Sequence, residues 1–246
     1  MSVFPEPGPP PLSGPPPPSV PSRGFLVAAL AGLALAALCD VFALVAGLRY
    51  HLATGEDGGL TLAAWRALDA AASRYDAAQR YQVVAFLPCA VAFIAWFHRM
   101  SRATGPLASG RFRFGTGWAV GGWFVPLANL WIPYRIAVDM WEAATPLPSE
   151  GDHHYPQIWP LKMWWALLVL SFPLGGLAKL SYDSAETMSD LRTGLELYFA
   201  SDVLHLVAAG AAAYVVVRLT AMQRDKALYG PYGKRSAPSS GAAPVR

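Results

Sequence analysis

The amino-acid sequence predicts an all-α membrane protein, a bundle of four transmembrane helices plus one segment that is broken by prolines. Of its 246 residues, 54% are hydrophobic and 14% are charged, whereas soluble domains carry roughly 25% charged residues. Several apolar runs are close to the length of helix that crosses a bilayer. The net charge of +3 is too small to indicate a nucleic-acid partner. The lipid bilayer is therefore the expected partner.

Two terminal tails flank the predicted transmembrane domain, which covers residues 23–220. Residues 1–22 are rich in proline, and we expect a disordered tail with polyproline II character. This tail lacks the features of a secretory signal. Its two interpretations are a solvated tail and a ligand for a proline-binding groove on a cytoplasmic protein. The basic tail of residues 221–246 is also predicted to be largely disordered.

Four segments are predicted to cross the membrane. The first is 24–48, and its length of about 25 residues is sufficient for a hydrocarbon core of roughly 30 Å. An amphipathic helix is predicted within residues 60–80, because apolar residues recur there at helical spacing. It can continue into the second span without a break. The other spans are 81–97, which Pro88 is expected to kink, 162–180 and 197–217.

Residues 115–144, here called the central segment, differ from these spans because Pro126 and Pro133 interrupt them. Irregular backbone at membrane depth survives only where protein buries it or where it lines a cavity. If the central segment returns to its starting side, both termini and all strongly basic segments lie on one side, which is then cytosolic by the positive-inside rule. If it crosses as a kinked fifth span, the basic C-terminal tail lies outside, and the rule fits less well.

The string GWAVGGWFVPLANLWIPYRIAVDMWEAA in the central segment resembles the core of a family of uncharacterised multi-pass membrane proteins. That family is found mostly in actinobacteria and is classified as domain of unknown function 4328. The matching features include an aromatic residue two positions before Pro126, then Asn129, Pro133 and an Asp-x-Trp at Asp139. The resemblance extends over roughly residues 60–220. It implies a helical membrane fold and supplies no activity, ligand or catalytic residue.

Polar residues that follow the proline break form a first candidate functional set. It contains Asn129, Arg135 and Asp139, and the last two are spaced to pair on one helix face. Polar groups at membrane depth usually face the bundle interior and can mark a pathway. In the alternative, structural interpretation, Asn129 bridges the broken backbone and the charged groups lie at the water interface.

A second set is expected to meet in the outer half of the membrane if the central segment does not cross. Asp40 and His205 lie at similar depths in the first and last spans, and Asp202 is one turn from His205. Lys179 ends the preceding span on the same side. These groups predict a proton relay or an ion site, or alternatively a neutralised structural pair that fixes helix register.

The sequence predicts no cofactor and no metal site with a complete ligand set. His153 and His154 are adjacent in a loop, but zinc needs about four ligands and no convincing further ligands are present. Cys39 and Cys89 lie in apolar runs, where thiols behave as small hydrophobic groups. No phosphate-binding glycine loop, HExxH helix or GxSxG elbow occurs, so a common soluble-type enzyme is not expected.

The sequence predicts a membrane protein without indicating its activity. The first hypothesis is a non-enzymatic protein that binds partners or organises the envelope, through the proline-rich tail, the arginine-rich loop at 98–113 or a second copy of itself. The alternative is a transporter or channel component for an ion or small molecule, which uses the broken helix between Pro126 and Pro133 together with Asp40. A membrane-embedded enzyme is the third hypothesis.

Overall fold

The computed structural model describes residues 23–54, 61–105, 114–146 and 157–230. Within these ranges all regular elements are helical, and four helices are long and apolar enough to cross a membrane. The predicted all-α membrane fold is therefore confirmed. The helices are α1 (Arg23–Ala53), α2 (Leu62–Thr104), α3 (Trp118–Gly121), α4 (Ile132–Ala144), α5 (Trp159–Asp183) and α6 (Met188–Tyr229), with a short 3-10 helix at Ala128–Leu130.

The four long helices form two antiparallel hairpins. In the first hairpin, the Arg99 guanidinium near the end of α2 lies 5.3 Å from the centre of the Phe25 ring at the start of α1. In the second, the rings of Tyr182 at the end of α5 and Tyr198 near the start of α6 are 5.8 Å apart. The hairpins are joined mainly by packing of α1 against α6.

Both hairpins have the same orientation, so the bundle has two distinct ends. The amide of Gln223 near the end of α6 donates a hydrogen bond to the hydroxyl of Thr104 at the end of α2. This contact brings the ends of α2 and α6 together at one end, with the starts of α1 and α5. We call this the basic end and the other the phenol end. The basic end carries Arg23, Arg99, Arg102, Lys162 and Lys226, and the phenol end carries Tyr50, Tyr75, Tyr182 and Tyr198.

Two hydrophobic clusters fill the bundle. The first cluster lies at the basic end, where Phe93 of α2 is 5.4 Å from Trp96, 5.8 Å from Trp123 and 5.8 Å from Trp164, measured between ring centres. The second cluster lies at the phenol end around Tyr75, which is 1% exposed. Close packing of these buried rings holds the helices together where the lipid supplies little hydrophobic driving force.

The central segment starts and ends at the basic end, because it connects the end of α2 with the start of α5. Its longest helix, α4, has 13 residues and is therefore about 20 Å long, too short for a hydrocarbon core of roughly 30 Å. Trp165 Nε1 of α5 donates to the carbonyl oxygen of Leu130 at 3.1 Å. The central segment thus returns to its starting end instead of forming a fifth span.

Helix α2 is a single helix that combines the predicted amphipathic helix with the second span. It has 43 residues and continues through Pro88 to Thr104. Thr61 caps its start, since the Thr61 hydroxyl accepts a hydrogen bond from the backbone N–H of Ala64 at 3.2 Å.

Helix α6 is longer at both ends than the predicted span 197–217. It begins at Met188, ahead of the predicted start at residue 197, because Thr187 and Asp190 form a capping box. It continues to Tyr229, so residues 221–229 of the predicted C-terminal tail are helical. The predicted disordered tails at 1–22 and beyond residue 230, and the loop histidines at 153 and 154, lie outside the described residues.

Candidate cation site in the polar layer

A layer of polar side chains separates the two hydrophobic clusters, and we call it the polar layer. Its members are Asp40 of α1, Gln82 of α2, and Asp202 and His205 of α6. Asp40 is 8% exposed and Asp202 is 3% exposed. On each helix these residues lie between the stretches that supply the two clusters. The layer therefore crosses the bundle between its two ends.

Gln82 joins the two acidic side chains. Its Nε2 donates a hydrogen bond to Asp40 Oδ1 at 2.8 Å and another to Asp202 Oδ1 at 2.9 Å. One ligand atom from each of Asp40, Asp202 and His205 lies within 4.8 Å of the other two. Two carboxyl groups and an imidazole from two helices thus converge on one small volume.

Close approach of α1 and α2 helps to assemble the layer. A Cβ atom at Gly32 would lie 2.9 Å from the Cα atom of Cys89, a separation that real Cβ atoms do not adopt. Glycine at this position lets the two backbones nearly touch, as small residues do in membrane helix pairs. Asp40 follows two turns later on the same helix, within reach of Gln82.

One oxygen of the layer has no hydrogen-bond partner among the described residues. Asp202 Oδ2 is buried and unpartnered, while Oδ1 of the same carboxyl group accepts from Gln82. An ionised carboxylate is costly to bury unless it is paired and hydrogen-bonded. The layer therefore provides a place for a proton or another cation.

Polar groups continue from the layer toward the phenol end. Gln79, one turn before Gln82 on α2, donates from Nε2 to the phenol oxygen of Tyr75 at 2.7 Å. The Tyr75 ring is 6.0 Å from the ring of Tyr198 and 5.9 Å from that of Tyr182. The basic end has no comparable row of hydroxyl-bearing rings among the residues that the structure describes.

The structure brings together three of the four residues that were predicted to share one depth, namely Asp40, Asp202 and His205. Lys179 is elsewhere. Its Nζ donates to Asp183 Oδ2 at 2.6 Å, and both side chains are more than half exposed. A long amine at a helix end reaches water and an acid one turn away at lower cost than it would enter the bundle.

The candidate set around the proline break lies apart from the polar layer. Asn129 is half-buried in the 3-10 helix, Arg135 is exposed and Asp139 is half-buried on α4. The neighbours of this set on the segment pack into the first cluster at the basic end. Pro126 is exposed, whereas Pro133 is buried in the first turn of α4, where a missing N–H costs little.

Gln82 and the four tyrosines were missed by reasoning from the sequence. Gln82 is a polar residue near the start of an otherwise apolar run, and that position is a signal that could have identified it. The tyrosines lie on four separate helices or helix ends, and nothing in their spacing along the chain indicates that they meet.

These features define a helical membrane protein with a buried, acid-rich polar layer. A family model described as a domain of unknown function, DUF4328, matches residues 60–221, which is more than half of the chain. The chain belongs to this family, and the resemblance inferred from the central segment is confirmed. Gln82, Asp202 and His205 lie inside the matched region, and Asp40 precedes it. No curated protein and no solved structure matches the chain.

Proposed function

We propose that this membrane protein is a component of an ion transporter or channel, and that the transported cation binds in the polar layer. The observation that carries the proposal is the convergence of Asp40, Asp202 and His205 within 4.8 Å of one another. Ionisable groups inside membrane-spanning helices are rare and usually line ion or proton pathways.

The energetic cost of the layer supports this proposal over a purely structural role. Replacing a buried ion pair with well-packed apolar residues is often neutral or stabilising, so register alone does not require two acids. Moreover, Gln82 satisfies only one oxygen of Asp202. An unpartnered oxygen is expected in a site that binds a cation, whereas a structural pair would have its hydrogen bonds complete.

The phenol end offers the route by which a cation reaches the layer. Tyr75 and Gln79 form a hydrogen bond between the layer and that end. Phenol and carboxamide groups can exchange hydrogen bonds with water or with a passing cation. The first cluster, by contrast, packs apolar rings against one another at the basic end.

Both termini are proposed to face the cytosol. The basic end carries Arg23 and Lys226 at the outer helix termini and Arg99 and Arg102 at the end of α2, and lysine and arginine concentrate on cytoplasmic sides. The phenol end then faces outwards. A reporter fused after residue 246 is expected to be active in the cytosol, and its appearance outside the cell would contradict this orientation.

The transporter hypothesis drawn from the sequence joined the broken segment with Asp40. We now propose that the cation pathway runs through the polar layer, and that the central segment packs against the basic end and closes it. The alternative hypothesis of a partner-binding protein depends on residues 1–22 and on the arginine-rich loop. Loss of a recovered partner on deletion of residues 1–22 would support it.

The test is ion flux into liposomes that contain the purified full-length protein. Proton, monovalent-cation and divalent-cation gradients are imposed in turn, and a dye selective for each ion reports uptake. We expect flux above that of empty liposomes for at least one cation, and loss of most of it in Asp40→Asn and Asp202→Asn. The absence of flux for all three classes would refute the proposal.

A matched control is available on α5. Asp183→Asn removes an exposed carboxyl group, paired with Lys179, outside the polar layer, and flux should be unchanged. The double variant Asp40→Asn/Asp202→Asn should lose no more flux than either single variant, since both acids act on the same ion. Additive losses would mean that the two acids act independently.

A further inference from the structure

We propose that the cation held in the polar layer is a divalent transition-metal ion, bound by carboxylate oxygens of Asp40 and Asp202 and by an imidazole nitrogen of His205. This inference rests on the proposed function, because it names the ion that the same site takes up. Three features carry it, namely the spacing of the donor atoms, the unpartnered oxygen of Asp202 and the chemistry of the donor set.

The donor atoms are near the spacing that a metal ion requires. Zinc binds carboxylate oxygen and imidazole nitrogen at about 2.0–2.2 Å, so neighbouring donors of a tetrahedral ion are about 3.3 Å apart. The three donors here lie within 4.8 Å of one another. Side-chain rotations that bring them together by about 1.5 Å or less would complete the set.

Asp202 presents a free oxygen to such an ion. Its side chain is 3% exposed, and its Oδ2 is buried without a hydrogen-bond partner. Gln82 occupies Oδ1 of Asp202 and Oδ1 of Asp40 at the same time. Hydrogen bonds of this kind commonly fix the orientation of carboxylates that ligate a metal with another atom. Gln82 is thus a positioning residue for both acids.

The charge and chemistry of the donor set select the class of ion. Metal ligation requires ionised carboxylates and a neutral imidazole, and in that form the set would carry a charge of −2, which a divalent cation cancels and a monovalent cation does not. Magnesium and calcium prefer oxygen donors throughout, whereas imidazole suits zinc, copper, iron and nickel. The presence of His205 therefore favours a transition metal. Three protein ligands leave one position of a tetrahedral ion open, which suits an ion that enters and leaves.

The experiment uses Co²⁺ as a spectroscopic probe on the full-length protein in detergent. The loop histidines His153 and His154 are first replaced by alanine, so that they do not contribute to binding. We expect one Co²⁺ per chain, with a visible absorption band typical of four-coordinate Co²⁺ that Zn²⁺ displaces. X-ray absorption on the Zn²⁺ form should identify a single imidazole with oxygen donors.

Variants then test each ligand. His205→Gln and Asp202→Asn should weaken Co²⁺ binding at least tenfold and change the absorption band, and Gln82→Leu should weaken it about 10- to 100-fold. His98→Ala removes a histidine of α2 at the basic end and should leave the affinity unchanged. Size-exclusion profiles and melting temperatures identify variants that fail to fold, and for those the X-ray absorption result on the parent protein decides.

The outcomes separate this inference from the proposed function. If protons or monovalent cations cross the liposome membrane but no stoichiometric Co²⁺ binds, the metal inference is wrong and the proposed transport stands. If Co²⁺ binds through His205 but no cation crosses, the metal site stands and transport is wrong. Equal Co²⁺ affinity in the parent protein and in His205→Gln would also overturn the metal inference.

Discussion

The two ends of the bundle are both packed with aromatic rings, but the rings differ in chemistry. At the basic end, phenylalanine and tryptophan rings lie 5.4–6.4 Å apart, among them Phe93, Trp96 and Phe97. At the phenol end, four tyrosine rings lie 5.8–6.0 Å apart. The spacing is therefore nearly the same, and the hydroxyl groups are the difference.

This difference makes the bundle asymmetric about the polar layer. The phenol end carries hydroxyl groups that can form hydrogen bonds, as that of Tyr75 does with Gln79, whereas the first cluster consists mainly of apolar side chains. Ring packing stabilises both ends, and among the described residues a hydrogen-bonded pair, Gln79 and Tyr75, follows the layer toward the phenol end. Four substitutions test this contrast, and they follow in order of decreasing expected effect.

The largest effect is expected for Trp164→Ala in the first cluster. Trp164 is 2% exposed and lies 5.8 Å from Phe93, and replacing a buried aromatic residue with alanine costs about 3–5 kcal/mol. Unfolding monitored by circular dichroism in detergent measures the loss. Trp159→Ala on the same helix is the control, because Trp159 is 60% exposed and its loss should be less than about 0.5 kcal/mol.

Gln82→Leu should have the next largest effect. The change leaves two acceptor oxygens without their donor, which costs about 1–3 kcal/mol. Gln223→Leu at the basic end is the matched control, expected to cost less than about 1 kcal/mol. There the Thr104 hydroxyl still donates to the Met100 carbonyl at 2.7 Å. If Gln82→Leu and Gln223→Leu lower the free energy of unfolding equally, the hydrogen bonds of the layer contribute no more to stability than that of the basic end.

Tyr75→Phe tests the hydroxyl groups of the phenol end directly. The ring contacts remain, and the hydrogen bond from Gln79 is lost, so we expect a destabilisation of about 1 kcal/mol together with slower cation uptake in liposomes. Tyr81→Phe is the control, since Tyr81 is 56% exposed. An unchanged uptake rate in Tyr75→Phe would mean that the phenol oxygens are not part of the route.

The smallest effect is expected for Thr187→Ala at the phenol end, outside the apolar part of α6. Hydrogen bonds from the Thr187 hydroxyl and from its backbone N–H lower the pKa of Asp190. A lowered pKa stabilises the folded state at neutral pH, and this contribution is lost as the pH falls through the folded pKa. Thr187→Ala should therefore lower the melting temperature slightly at pH 7 and less at acidic pH. If the melting temperature of Thr187→Ala is lowered equally at all pH values, the effect does not come from the pKa of Asp190.

Much of the architecture could be predicted from the sequence because membrane constraints act on whole segments. Apolar length identified the four spans, and the distribution of arginine together with Pro126 and Pro133 favoured a central segment that returns to its starting end. That topology also predicted that Asp40 and His205 would approach each other, since it puts α1 and α6 antiparallel with both at one depth.

The rest depended on side-chain geometry that the order of residues does not specify. Lys179 lies near the phenol end of α5, but its flexible amine pairs with the exposed carboxyl group of Asp183. Gln82 reaches both acids because of the face of α2 on which it lies. The short apolar run around Gln82 does not indicate which face of the helix points toward the acids. Helix ends were also poorly predicted, because the capping box at Thr187 extends α6 beyond its apolar part.

The common orientation of the two hairpins has a consequence for the biogenesis of this protein. Membrane helices insert first and associate afterwards, and here each hairpin contributes one half of the acid pair, Asp40 from the first and Asp202 from the second. The polar layer therefore forms only after the hairpins dock. Two separately expressed fragments, divided between residues 105 and 114, should assemble the polar layer when they are produced in the same cell.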